Sequence, residues 1–330
     1  MLSTIPLNNI EQENTNAGIS RENVDELKLN GSWENKNRSI TAAAVTGLIG
    51  IGAIYFNVQS ILMIAFVFIY KIIFGIHLPS GFAERMNAIA VELKTPTLAA
   101  LVISQYVFML LPALWIVKKW HTSQIKKYVR IRLSSIKEII LAVLITVTLL
   151  PLSYYLSYLL MKIFPIPESF RDLSSQLFTP HNGTEFIVLI FVIAVTPAIC
   201  EEIFFRGYVQ RTLERTIGAK SFIVTGILFG LFHMQPLGLI SLSLLGVLFS
   251  FFYYRSKSIF PSSAAHFTNN LIAIILLYAE SKSVNTGVAS DGNLPITWII
   301  FFTLIACGLI IVYITITREE PKVLKIDTFA

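Results

Sequence analysis

Apolar residues fall along this chain in eight runs, each closed off by a polar or basic stretch. The first covers residues 41–75, longer than the ~20 residues that one membrane-spanning helix needs. Asn57 and Gln59 interrupt it, and Gly47, Gly50 and Gly52 precede them. It reads as one long, tilted helix with its core at residues 60–74, two tight spans being the alternative. The other runs cover residues 98–117, 139–163, 186–206, 222–234, 239–254, 259–278 and 296–317. Pro151 lies inside the third run and predicts a kink there. In the polar stretch 165–183, Phe170, Leu173 and Leu177 stand at helical spacing, which predicts a short amphipathic helix on the membrane surface. The fold class is therefore all-α, a polytopic membrane protein of about eight transmembrane helices. There is no internal repeat, which counts against an inverted-repeat transporter.

Composition agrees and adds an orientation. The chain is 54% hydrophobic and only 14% charged, where a soluble domain carries about 25% charge. The formal net charge of +6 does not point to nucleic acid, because the basic residues gather in short loops. Lys118, Lys119, Lys126, Lys127, Arg130, Arg132 and Lys137 follow the second run. Arg206, Arg211, Arg215 and Lys220 follow the fourth, Arg255 and Lys257 the sixth, and Arg318 and Lys322 the eighth. Such loops stay in the cytoplasm, and eight spans then put both termini there too. Residues 1–39 are polar, rich in Asn and Glu, and read as a disordered cytoplasmic tail without a signal peptide. The tail and the lack of a targeting signal fit a bacterial plasma membrane. Cys200 and Cys307, in separate apolar runs, are poor candidates for a disulfide or a zinc site. The chain divides into the tail 1–39, helices 1–3 with the interfacial helix at 40–183, a core of helices 4–7 at 184–282, and helix 8 with a second tail at 283–330.

The polar residues inside the apolar runs are the informative ones. One acid at the centre of a membrane helix costs about 2.5–3.5 kcal/mol on insertion scales, yet Glu201 and Glu202 stand side by side in the fourth run. Arg206, four residues after Glu202, shares its helical face and can pair with it, so the main role of that pair is structural. Glu201 is left free for chemistry. His77, His121 and His181 fall in predicted loops and read as solvated. His233 and His266 fall in apolar runs, with Phe229 one turn before the first and Asn270 one turn after the second. Taken singly, a histidine or Asn270 is as easily a hydrogen bond between helices. Together, a carboxylate, two imidazoles and an amide on three helices match what hydrolysis needs. A carboxylate and an imidazole take the proton of an attacking water, and a second imidazole and an amide donate to the oxyanion. Alternatively Glu201, His233 and His266 are three ligands for Zn²⁺, although no H-E-x-x-H motif is present. By depth, Glu201 lies near the cytoplasmic end of its run and His233 deeper, so convergence requires tilt or a later start to the fifth helix.

Three segments carry a family resemblance: Glu201-Glu202-Ile-Phe-Phe-Arg206, Phe229-Gly-Leu-Phe-His233 and His266-Phe-Thr-Asn-Asn270. In order and spacing they resemble E-E-x-x-x-R, F-x-x-x-H and H-x-x-x-N of the CPBP (CAAX protease and bacteriocin-processing, or Abi) intramembrane proteases. The resemblance covers residues 186–278. It implies an eight-helix endopeptidase with an intramembrane catalytic cavity and a membrane-associated peptide or protein as substrate. Glu201 and His233 would activate water, and His266 and Asn270 would position it or stabilise the oxyanion. Glu202, Arg206 and Phe229 would support the site. Such proteases are described both as zinc enzymes and as metal-free glutamate proteases, so the resemblance leaves the metal open. A proton-coupled transporter, with Glu201 and the histidines as a relay, and a non-catalytic immunity protein binding peptide in the same cavity are the competing readings.

Overall fold

A bilayer offers no water to backbone amides, so an apolar chain crosses it as helices whose hydrogen bonds close internally. The structure, a computed structural model, describes residues 27–75, 82–164, 177–282 and 294–317, and no strand occurs among them. Among the described residues, seven helices are long and apolar enough to cross a membrane. They are α1 (Ile40–Phe74), α2 (Glu92–His121, continuing a helix that begins at Phe82), α4 (Ile136–Ile163), α5 (Gly183–Ile217), α7 (Leu239–Ser256, entered by a tight turn at Pro236–Gly238), α8 (Phe260–Ser281) and α9 (Ile296–Ile316). A short α3 (Ile125–Val129) lies between α2 and α4, and α6 (Lys220–Phe232) between α5 and α7.

Local chemistry sets the starts. Ser39 accepts from the Ala42 amide ahead of α1, Ser135 from the Lys137 amide ahead of α4, and Asn182 from the Glu185 amide ahead of α5. Each satisfies an amide that the first turn leaves open. The first apolar run is a single helix of 35 residues, about 52 Å long at ~1.5 Å per residue. Its second half presents Ile61, Ile64, Phe68 and Ile72 outward, as a lipid-facing surface does.

Three sequence expectations change. The fifth of the eight expected spans is α6, only 13 residues, about 20 Å against a hydrocarbon core of ~30 Å. It does not stand alone but packs along α7 without a gap. A Cβ on Gly226 would lie 2.3 Å from the Val247 amide nitrogen, and one on Gly246 2.5 Å from the Gly226 carbonyl. Second, the fourth helix does not stop near Arg206 but continues to Ile217. Third, the part of the tail from residue 27 to 39 is docked. Gly31, Ser32 and Trp33 donate backbone bonds to the carbonyls of His121, Lys119 and Trp120, and the Trp33 ring stacks on Trp120 at 4.6 Å. His121, expected in solvent, is fully buried there. Residues 1–26, His77, the loop residues Pro79, Glu84 and Arg85, and most of the expected surface helix, including Phe170 and Leu173, lie outside the described residues or their described side chains. His181 is exposed as expected.

The basic ends of the helices are tied by few acids. Glu214 of α5 takes Arg130 through both oxygens, at 2.8 and 2.9 Å, and Lys257 at 2.8 Å. Glu34 of the docked segment takes both terminal nitrogens of Arg215, at 2.6 and 2.9 Å, and His121 Nδ1 at 2.6 Å. Burial pushes the Glu34 carboxyl up, but hydrogen bonds from Arg215 and His121 outweigh it and hold it down at about 2. A depressed carboxyl contributes stability that is complete above its unfolded value and is lost as pH falls through the folded one. Wild-type protein should therefore melt higher than Glu34→Gln above about pH 5, and the gap should close between about pH 4.5 and pH 2. A gap that stays constant on acidification would show that Glu34 does not hold the segment by its charge.

Candidate active site

Glu201 and Glu202 end a seven-residue α-helical stretch, Thr196–Glu202, set between two π-helical stretches, Ile190–Val195 and Ile203–Gln210. Such stretches shift the hydrogen bonding to i→i+5 and turn the side chains that follow. Within the α-helical stretch, at ~3.6 residues per turn, neighbouring side chains point roughly 100° apart, and the two acids face different surroundings.

Glu202 is wholly buried and saturated. Arg206 Nη1 donates to its Oε1 at 2.8 Å, His266 Nδ1 meets the same oxygen at 2.8 Å, and the Ser262 hydroxyl donates to Oε2. Arg206, also fully buried, donates a second bond to the Gly246 carbonyl at 3.0 Å, and its guanidinium carbon lies 4.5 Å from the Phe229 ring centre. One ion pair thereby joins α5, α6, α7 and α8.

Glu201 faces a cavity of about 580 Å³, lined also by His233, His266, Asn270 and Phe229. The structure therefore brings together all four residues in which the sequence placed the chemistry. The Gln105 amide of α2 donates to Glu201 Oε1 at 3.1 Å, while Oε2 is buried without a hydrogen-bond partner. His233 Nε2 stands 3.8 Å from that free oxygen, too far for a direct hydrogen bond. His233 Nδ1 lies 2.8 Å from the Phe229 carbonyl. A carbonyl only accepts, so Nδ1 carries the hydrogen and, in the neutral ring, Nε2 presents a lone pair to Glu201. Asn270 donates to the Ile193 carbonyl at 2.7 Å and accepts from the Asn269 amide at 2.9 Å. It is thus a link between α8 and the first π stretch of α5 as well as a lining residue.

The depth mismatch in the sequence disappears for a simple reason. Glu201 lies about 24 Å along α5 from Ile217 at ~1.5 Å per residue, near mid-helix, because α5 runs past Arg206. His233 caps α6 about 20 Å from its start. Both are deep, and α6 begins no later than expected. Two contacts escaped the sequence reading. Ser262 stands one turn before His266 on the same helix, a spacing that was legible. Gln105 is 96 positions from Glu201, and only its polarity inside an apolar run marks it.

The fit to a metal is mixed. The outer nitrogens of both histidines are engaged, His233 by a carbonyl and His266 by Glu202, the usual arrangement around metal-binding histidines. The spacing does not follow. Among the described residues no three His, Cys, Asp or Glu side chains are grouped closely enough to hold one ion. No step of the reaction proposed for this site is therefore routed through a metal.

Residues 183–272 match the family described as Type II CAAX prenyl endopeptidase Rce1-like. This stretch, α5 through the Asn270 turn of α8, is therefore similar to the CAAX proteases that its motifs resemble. No curated protein and no solved structure matches the chain.

Removing Arg206 strands a buried carboxylate, a change that costs about 3–5 kcal/mol. Arg206→Ala should therefore lose yield and melting temperature in detergent before any activity is assayed. A variant that expresses and melts like wild type would contradict the structural role of the pair.

Proposed function

We propose that the CAAX-protease-like stretch at residues 183–272 hydrolyses a peptide bond of a membrane-associated substrate, with water activated between Glu201 and His233. The observation that carries this reading is the buried, unpartnered Glu201 Oε2 set 3.8 Å from His233 Nε2 on the cavity wall. Two acceptors held face to face suit one guest, a donor of two hydrogens. A water donating to both turns its lone pair toward the cavity and a carbonyl carbon placed there. As the oxygen attacks, its proton passes to the carboxylate–imidazole pair, and the carbonyl electrons move to the oxygen. Asn270 and His266 line the cavity beside that charge. Asn270 has one amide hydrogen beyond the one given to Ile193, and His266 has Nε2 left over when Nδ1 meets Glu202. Such donors aimed at developing charge are often the largest catalytic contribution. The C–N bond then breaks, and the pair returns the proton to the leaving amine.

Apolar rings of Phe56, Phe232 and Phe249 line the cavity alongside the amides of Gln59, Gln235 and Asn269. This mixture suits a peptide with apolar side chains. The matched family is named for CAAX prenyl proteins, and the substrate here is a peptide held at the bilayer, with prenylation left to the assay. The basic residues at the ends of α2, α5 and α7 support a cytoplasmic location for those ends in a bacterial plasma membrane.

The test uses purified full-length protein in nanodiscs with two probes, a farnesylated CAAX-box peptide and an unprenylated membrane-spanning peptide. Wild type should cleave at least one, and Glu201→Ala and His233→Ala should each reduce kcat by about 10²–10⁴-fold. Cleavage at the wild-type rate by either variant would sink the assignment, as would pH-gradient-driven uptake into proteoliposomes with no peptide product.

Metal dependence is tested separately. Dialysis against a chelator should leave turnover unchanged, with no stoichiometric zinc by elemental analysis. Activity that is lost on chelation and restored by zinc would overturn the metal-free reading.

A further inference from the structure

Gln105 stands on α2, in the π-helical stretch Ser104–Leu110 and outside the family-matched residues 183–272. It is 4% exposed, lines the cavity, and donates from Nε2 to Glu201 Oε1 at 3.1 Å. The orientation of its amide is set by charge, since a carboxylate oxygen accepts and the carbonyl end of Gln105 could only repel it. Its own Oε1 is buried and makes no hydrogen bond of good geometry, although the Tyr55 hydroxyl of α1 lies beside the amide.

An amide that served only to join α2 to α5 would be satisfied at both ends. Here the gain from a bond to a charged group is of the same order as the penalty of the orphaned carbonyl, so the contact adds little net stability. What it does fix is the plane of the Glu201 carboxylate. With Oε1 tethered, rotation about the last side-chain bond is stopped, and Oε2 is the oxygen held toward His233 Nε2 at 3.8 Å.

We propose that Gln105 is a positioning residue, a tether from α2 that holds the Glu201 carboxylate in the one rotation where its free oxygen and His233 share a water. The inference rests on the protease reading above for its catalytic consequence but not for its structural one. Gln105 acts through Glu201 rather than on the substrate, so its loss should appear in kcat and not in KM. A small misplacement of a reacting group costs up to about 10²-fold in rate.

The test uses full-length Gln105→Met, which keeps length and loses the donor, and Gln105→Asn, whose amide is one methylene too short to reach. Both should melt within a few degrees of wild type. Both should lower kcat on the cleaved probe by about 10- to 100-fold with KM unchanged within about twofold. A second readout is independent of turnover: the Glu201 carboxylate band, identified in the infrared difference between wild type and Glu201→Gln, should move in frequency in both variants. An unmoved band overturns the proposal, as does a kcat within about twofold of wild type or a defect confined to KM. Should wild type cleave neither peptide, the protease reading has failed while the infrared comparison still decides the role of Gln105.

Discussion

The ion pair of Glu202 and Arg206 is buried completely inside an apolar helix bundle. Taking the two charges out of water costs several kcal/mol per ion, recovered only when geometry is good and every remaining valence is used. That requirement explains much of the surrounding architecture. Arg206 needs the Gly246 carbonyl of α7 and the ring faces of Phe229 and Phe249, and Glu202 needs Ser262 and His266 of α8. Four helices are drawn to one point, and the close approach of Gly226 to Gly246 places α6 and α7 where Arg206 Nη2 meets a backbone carbonyl, while its Nε is left without a partner.

Glu201 inherits its position from that arrangement. Its neighbour spends both oxygens on structure, so the backbone is held while Glu201 retains one oxygen free at the cavity. The π stretches on either side contribute as well. Ile193, in the first, has its carbonyl taken by Asn270, which brings α8 to the same wall. The shortness of α6 puts His233 at a helix end, where Nδ1 bonds back to the Phe229 carbonyl and the ring is aimed by its own helix. α1 and α2 close the cavity with Tyr55, Phe56 and Gln105. α1 is held against α5 by the bond from the Tyr208 hydroxyl to the Ala43 carbonyl at 2.6 Å, where Gly47 has no room for a Cβ beside the tyrosine oxygen.

The helical class was legible because hydrocarbon imposes it: each long apolar run had only one way to bury its amides. The candidate residues were legible for a related reason, since Glu201, Glu202, His233 and His266 are too costly in apolar runs to be there without use. The Arg206–Glu202 contact is local, four residues on one helix, and could be read directly. Lengths were less secure. Arg206 resembled the end of a span, yet burial with Glu202 removed its charge from the count and α5 ran on to Ile217. Polarity suggested a disordered tail, whereas long-range contacts such as Glu34 meeting Arg215, 181 positions away, and the Trp33–Trp120 stack show that residues 27–39 dock.

By itself, then, the sequence determined that this chain is a helical membrane protein and which few polar side chains it carries into the apolar interior, because hydropathy and the penalty on buried charge act on each residue where it stands. Tertiary structure alone decided how those side chains divide their work. That His266 belongs to Glu202, that His233 faces Glu201, and that Gln105 holds Glu201 from α2 are contacts between distant segments. They depend on how the helices cross, which no local pattern records.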